Sequence, residues 1–235
     1  MATSQWQVLD EATGTWSIEY SFRPDATARA LVTRTRDGGL LIISPPLGLS
    51  TAAREKLKSH GNVTRVIAPN GLHWMGVPGL IEDFPEARVY APSAALARVQ
   101  KRLPDIHVRN LDPLAQELTD GVSVEEVPGF RFGDTWLKVP TEEGGIWYVS
   151  DCCLNMPKLP SAWLPRLLFK WTASGPGFAL NGVGLRFMLK DKASYRQWFL
   201  EQLGEEPRAI VPAHGDVLEQ PGIAKDLKQM VEARL

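Results

Sequence analysis

The chain has 235 residues, 44% of them hydrophobic and 23% charged, with a formal net charge of -1. That length suits one large α/β domain covering residues 1–235, long enough to bury a sizeable core. The near-neutral balance and scattered Lys and Arg give no field that recruits nucleic acid or anionic lipid, and no apolar run is long enough for a membrane span.

Cys152 and Cys153 are the only cysteines, and they are adjacent. Neighbouring cysteines close a strained ring, so a reduced, cytoplasmic protein is expected. The N-terminal MATSQWQVLDEATG lacks a basic stretch followed by an apolar one, so no signal peptide is expected.

In chain order, Trp16, Ile18, Tyr20 and Phe22 alternate with polar neighbours, as on a half-buried strand. Ala30 to Thr33 leads into the hairpin-type turn Arg36–Asp37–Gly38–Gly39, and Leu40 to Ser44 follows as a continuous apolar strand ended by Pro45–Pro46. Ser50 is placed to cap a helix over Thr51 to His60, with Gly61 beyond its end. Val63 to Ala68 is the next strand, completing a βαβ unit. Pro78 to Phe84 reads as a short helix, Arg88 to Ala91 as a strand, Pro92 to Arg102 as a helix and Ile106 to Val108 as a strand.

Val122 to Val127, Thr135 to Val139 and Gly145 to Ser150 then read as antiparallel strands with Gly turns. Leu159 to Leu189 is less regular. A helix over Ser194 to Leu203, a strand over Arg208 to Pro212 and a helix over Ala224 to Arg234 close the chain. Strands therefore come in two batches, each with helices attached, which fits two packed sheets with helices on their outer faces.

Four segments carry candidate chemistry: Ala68–Pro69–Asn70–Gly71–Leu72–His73 after a buried strand, Pro128–Gly129–Phe130, Tyr148–Val149–Ser150–Asp151 at a strand end, and Pro212–Ala213–His214–Gly215–Asp216. Their order and spacing resemble the metallo-β-lactamase superfamily. Its usual signature is H-x-H-x-D-H, then P-G-H-T, then an Asp at a strand end, then a late His-Gly. The resemblance implies an αββα sandwich of two mixed β-sheets, with metal at one edge. It covers roughly residues 28 to 218, and the signature is degenerate, as in a divergent branch.

Against that pattern, three histidine positions of the first metal site hold Ala68, Asn70 and Phe130, so that site is expected to be gone. The second site keeps His73, Asp151 and His214, with Leu72 at its fourth position. Two imidazoles and one carboxylate suit one zinc ion with an open position, with iron or manganese as alternatives. The same three residues also make a reasonable metal-free hydrogen-bonded cluster.

Asn70 is the candidate to orient a substrate carbonyl or a water, and Asp216 or Asp134 to orient an imidazole. Arg131 and Lys170 are the candidate donors to a leaving group. The resulting expectation is a metallo-hydrolase-like protein acting on an ester, lactone or thioester of a small molecule. A non-catalytic ligand-binding or interaction protein and a mononuclear iron redox protein are the alternatives. Cys152 is expected to be a small buried hydrophobe.

In SAWLPRLLFKWTASGPG, Trp163, Leu167 and Trp171 recur every four residues, with Leu164 and Leu168 beside them. One helical face of this kind is a lid over an apolar substrate, a dimer or membrane-surface contact, or plain core packing. Core packing is the favoured expectation, and Trp163, Leu167 and Trp171 are the candidate lid residues. His60 is expected at a helix C-terminus, where a positive charge is favourable.

Overall fold

The first batch of strands forms one sheet in strict chain order: β1 (Trp6–Asp10), β2 (Thr15–Arg23), β3 (Ala26–Arg34), β4 (Leu40–Ile43), β5 (Val63–Ile67), β6 (Arg88–Tyr90) and β7 (Val108–Arg109). The structure is a computed structural model, and it describes residues 5–118 and 121–235. The first four residues of the segment read above for a leader lie outside that description. β1 to β4 run antiparallel, joined by short turns. From β4 onward the pairing is parallel, because α1 (Thr51–His60), α2 (Val77–Asp83) and α3 (Ser93–Arg102) carry the chain back each time. All four residues of β4 are buried, as a continuous apolar run covered on both faces requires.

Beyond a 3₁₀ turn over Asp112–Glu117, the second batch comprises β8 (Ser123–Glu126), β9 (Thr135–Val139), β10 (Gly145–Ser150), β11 (Cys153–Met156), α4 (Trp163–Trp171), β12 (Gly177–Leu180), α5 (Gly182–Phe187), α6 (Lys192–Gln202), β13 (Pro207–Pro212), β14 (Leu218–Glu219) and α7 (Ile223–Arg234). The second sheet has the order β14-β13-β10-β9-β8, and β11 pairs separately with β12. Only the β10–β13 pair within the second sheet is parallel, so both large sheets are mixed.

Strand alternation sorts side chains into three layers. Leu31, Leu41, Ile43 and Ile67 meet Leu137, Tyr148 and Val211 between the sheets. Ile42, Val66 and Val89 face outward onto Leu57 of α1, Leu80 of α2 and Val99 of α3. On the other side Trp136, Trp147 and Ile210 pack against Phe199 of α6 and Leu227 of α7. This is the αββα sandwich of two mixed sheets that the sequence led us to expect.

Ser50 caps α1 through a hydrogen bond from the Ala53 amide at 3.2 Å. His60 ends that helix, but not as the favourable cation anticipated. Its ring stacks on Trp16 at 4.0 Å, and burial, followed by the charges of Lys56 and Arg34, pushes its pKa down.

The core-packing expectation for α4 is also overturned. The helix has no buried residue, and Trp163 and Trp171 are 75% and 64% exposed. Periodicity marks an apolar face correctly, but it does not say that another element lies against it.

Candidate metal centre

Two strands deliver the site from the same edge of the sandwich, and each ends on a serine in the left-handed region. Ser44, after β4, has φ 58° and Ser150, closing β10, has φ 48°. Such a conformation costs a non-glycine residue roughly 1 kcal/mol or more. Here it breaks the strand sharply, so that Asp151 leaves the sheet edge and Ser44 turns its hydroxyl toward His73.

His73 sits in the turn before α2. The Asn70 side-chain oxygen holds that turn by accepting from the backbone amides of Leu72 at 2.8 Å and His73 at 3.1 Å. His214 follows β13. Its loop is clamped by the Ala213 amide donating to Ser150 O at 2.8 Å, the Asn155 amide donating to His214 O at 3.1 Å, and Arg29 Nε donating to Gly215 O at 3.0 Å.

The three side chains converge. His73 Nε2 lies 3.5 Å from Asp151 Oδ2, and His214 Nε2 lies 3.4 Å from Asp151 Oδ1. All three potential ligand atoms fall within 4.8 Å of one another, and no other group of this kind occurs among the described residues.

Both imidazoles are fixed from behind. Ser44 Oγ, itself 3.2 Å from the Tyr20 hydroxyl, meets His73 Nδ1 at 3.0 Å. His214 Nδ1 lies 2.7 Å from the Thr27 carbonyl oxygen. A carbonyl only accepts, so Nδ1 of His214 must carry the hydrogen, and in the neutral ring the Nε2 lone pair points at Asp151.

The electrostatics sharpen this. Burial would raise the Asp151 carboxyl, but His73, His214 and the hydrogen bond from Asn70 hold it well below the ordinary carboxylate range. Burial also disfavours charge on both imidazoles. At His73 the Asp151 carboxylate outweighs it and the pKa rises, whereas at His214 burial, aided by His73, prevails and the pKa falls. Asp151 is thus ionised, and His214 is the ring that stays neutral.

Asn70 Nδ2 donates to Asp151 Oδ2 at 2.9 Å, while the buried Asp151 Oδ1 has no hydrogen-bond donor. Two acceptors, Oδ1 and the Nε2 of His214, therefore face each other. That arrangement is unfavourable unless a proton or a metal cation lies between them. On the chemistry of their donor atoms, the three residues fit one divalent ion.

The place of the first metal site is filled differently. Phe130 packs edge-on against Tyr195 at 5.2 Å. With Asn70, Leu72, Phe132 and Met188 it borders a cavity of about 30 Å³, which has no set of imidazoles to offer. Asp134 also lines this cavity, buried, accepting from the Thr135 amide at 3.1 Å and the Cys152 thiol at 3.3 Å. Burial, followed by repulsion from Asp151, pushes the Asp134 carboxyl up to about 7. Burial also raises both cysteine thiols. Cys152 is thus buried as expected, but it serves as a hydrogen-bond donor as well.

The remaining sequence candidates fall outside the cluster. Asp216 is exposed and lies 4.0 Å from Arg29, so the imidazole-orienting role expected of Asp216 or Asp134 belongs to Ser44 and the Thr27 carbonyl. Arg131 lies over the Phe132 ring at 5.3 Å, and Lys170 is on exposed α4. The cavity that opens onto the site, about 390 Å³, is lined by Tyr20, Phe22, Leu47, Leu72 and Trp74, with Arg23 as its cation. Trp163, Leu167 and Trp171 do not line it. Arg23 was missed because nothing in its local sequence separates it from other surface arginines.

No sequence-family model and no curated protein matches this chain. Solved structures do. TMB-1 superposes with a TM-score of 0.65 at 17% identity, covering 99% of each chain, and the DIM-1 metallo-β-lactamase with a TM-score of 0.64 at 13% identity, over 98% of this chain and 97% of its own. The chain has the metallo-β-lactamase fold. FIM-1 from Pseudomonas aeruginosa, a metallo-β-lactamase solved in a mono-zinc form, matches at TM-score 0.60 and 10% identity over 99% of this chain and 96% of its own. A diflavin flavoprotein fragment from Nostoc sp. PCC 7120 matches at TM-score 0.65 and 14% identity, over 98% and 96%. At identities of 10–17% the likeness is one of fold.

Proposed function

We propose that this protein is a metallo-hydrolase that holds a single divalent ion, zinc in the first instance, on His73, Asp151 and His214. We propose further that it cleaves an ester, lactone or thioester of a small molecule. The observation that carries this reading is the unpaired Asp151 Oδ1 facing the Nε2 of His214, inside the one cluster of metal-type ligands among the described residues. The mono-zinc form of FIM-1 supports one ion rather than a pair.

When bound, the ion supplies Lewis acidity and makes hydroxide available at neutral pH. The chain's own residues do the rest. Asn70 ties up one carboxylate oxygen of Asp151 and leaves the other for the ion. Ser44 and the Thr27 carbonyl hold the imidazoles in place. Phe22, Leu47, Leu72 and Trp74 take the apolar part of the substrate and exclude water, and Arg23 offers a charge to an anionic group. Hydrolysis consumes one water and releases an acid with an alcohol or thiol.

The test is a panel of nitrophenyl esters, lactones and acyl thioesters, assayed with zinc-loaded wild type and an Asp151→Asn variant. Turnover that disappears in the variant and on chelation is expected. A protein carrying stoichiometric zinc that hydrolyses none of them would be a binding module, not a hydrolase.

A further inference from the structure

We infer that α4 and its surroundings form a docking surface for an anionic lipid bilayer. Nine large apolar side chains are exposed among the described residues, and all but Val8 fall in two groups. Leu47, Leu72 and Met75 border the cavity of the candidate metal centre. Trp163, Leu164, Leu167 and Trp171 of α4, with Phe187 of α5, form the other group. Taking ~200 Å² for a large apolar side chain, the second group alone presents on the order of 600 Å². A patch of that size signals a partner.

Charge identifies the partner. The whole chain is nearly neutral at -1, yet residues 152 to 200 hold seven Lys and Arg against the single acidic residue Asp191. All seven cations are exposed. Arg166 and Lys170 lie on α4 itself, and α4 has no acidic residue. A short helix with tryptophan at both ends, leucine between them and cations alongside suits the boundary between acyl chains and headgroups.

The Arg186 guanidinium lies over the Trp171 ring at 5.9 Å. Trp171, Arg186 and Lys192 also border an open hollow of about 250 Å³, which suits a lipid phosphate beside an inserted indole. The overall charge hides this segregation, so an expectation drawn from net charge alone misses it.

The docking face is continuous with the rim of the cavity. Ser161, just before α4, donates to Asp25 at 3.2 Å. Asp25 lies in the turn between β2 and β3, and Phe22, Arg23 and Ala28 beside it line the cavity. Among the described residues no helix is long and apolar enough to cross a membrane, and the proposed contact is with the surface. The inference does not depend on the metal, and metal-free protein should dock equally.

The test is co-sedimentation of the full chain with vesicles of phosphatidylcholine alone and of phosphatidylcholine with phosphatidylglycerol, at low and high salt. Wild type should partition about tenfold more strongly onto the anionic vesicles and be released by salt. Trp163→Ser with Trp171→Ser should abolish binding. Arg166→Glu with Lys170→Glu should remove the preference for anionic lipid while preserving the fold, as read by an unchanged unfolding midpoint. Wild type that stays in the supernatant with both vesicle types would overturn the proposal. So would equal binding by both variants, or a dimer in solution that the tryptophan substitutions dissociate, since the face would then belong to a second copy.

Discussion

Asn70→Ala removes the side chain that organises the centre. Asn70 is 3% exposed, and its three shortest hydrogen bonds there are one to Asp151 Oδ2 at 2.9 Å and two from the amides of Leu72 and His73 at 2.8 and 3.1 Å, with longer contacts to Ser150 at 3.4 Å and Asp134 at 3.5 Å. A hydrogen bond to a charged carboxylate contributes about 2 kcal/mol and each neutral one about 1 kcal/mol, so the variant should lose about 4 kcal/mol of folding stability. The loss should be read by urea unfolding of chelated protein, with Leu72→Ala, at an exposed neighbour, as a control within about 1 kcal/mol of wild type. Asn70→Asp keeps the two amide bonds but sets a second carboxylate against Asp151. It should be destabilised without metal and partly restored by zinc, because a cation relieves the repulsion. An Asn70→Ala variant within about 1 kcal/mol of wild type would refute the claim that this side chain holds Asp151 and the His73 turn together.

Two further outcomes follow from the same geometry. Asp134 keeps its proton in the folded, metal-free protein up to about 7, where burial and Asp151 have pushed it, whereas in the unfolded chain the carboxyl ionises near its ordinary value. Its contribution to stability is therefore full below the ordinary carboxylate range and is lost as the pH rises through about 7; Asp134→Asn should flatten that part of the profile in thermal melts, and an unchanged slope would contradict the assignment. Gly215 has φ +99°, and a Cβ there would run into the Asn155 carbonyl; Gly215→Ala should cost about 3 kcal/mol and displace His214, visible as a lowered melting temperature and weakened zinc binding, and a variant with wild-type values would show that this loop does not need its glycine.

Much of this was legible from residue types, for physical reasons that also mark where legibility stops. The all-apolar Leu40 to Ile43 could only be a strand covered on both faces, and the βαβ sequence around it fixed the parallel half of the first sheet. β1 was missed because only Leu9 of its five residues is buried, so an edge strand leaves little alternation to read. β11, β12 and β14 are short, and pairing makes them strands, β11 with the distant β12 and β14 with the preceding β13. His73, Asp151 and His214 were singled out as candidate ligands by their register against the metallo-β-lactamase signature. Their supports did not: Ser44 is one of many serines, and Thr27 contributes a backbone carbonyl that any residue would supply. The face of α4 was visible as a pattern, but whether anything covers it is a property of the assembled molecule.

The central claim, that His73, Asp151 and His214 form one metal site, is tested most directly by metal content. Protein stripped by chelation, dialysed against zinc and measured by plasma mass spectrometry should hold one ion per chain. His214→Ala should lose it while retaining a cooperative unfolding transition. Zinc absent from wild type, or equally abundant in His214→Ala, would mean that the three side chains share hydrogen bonds and nothing more.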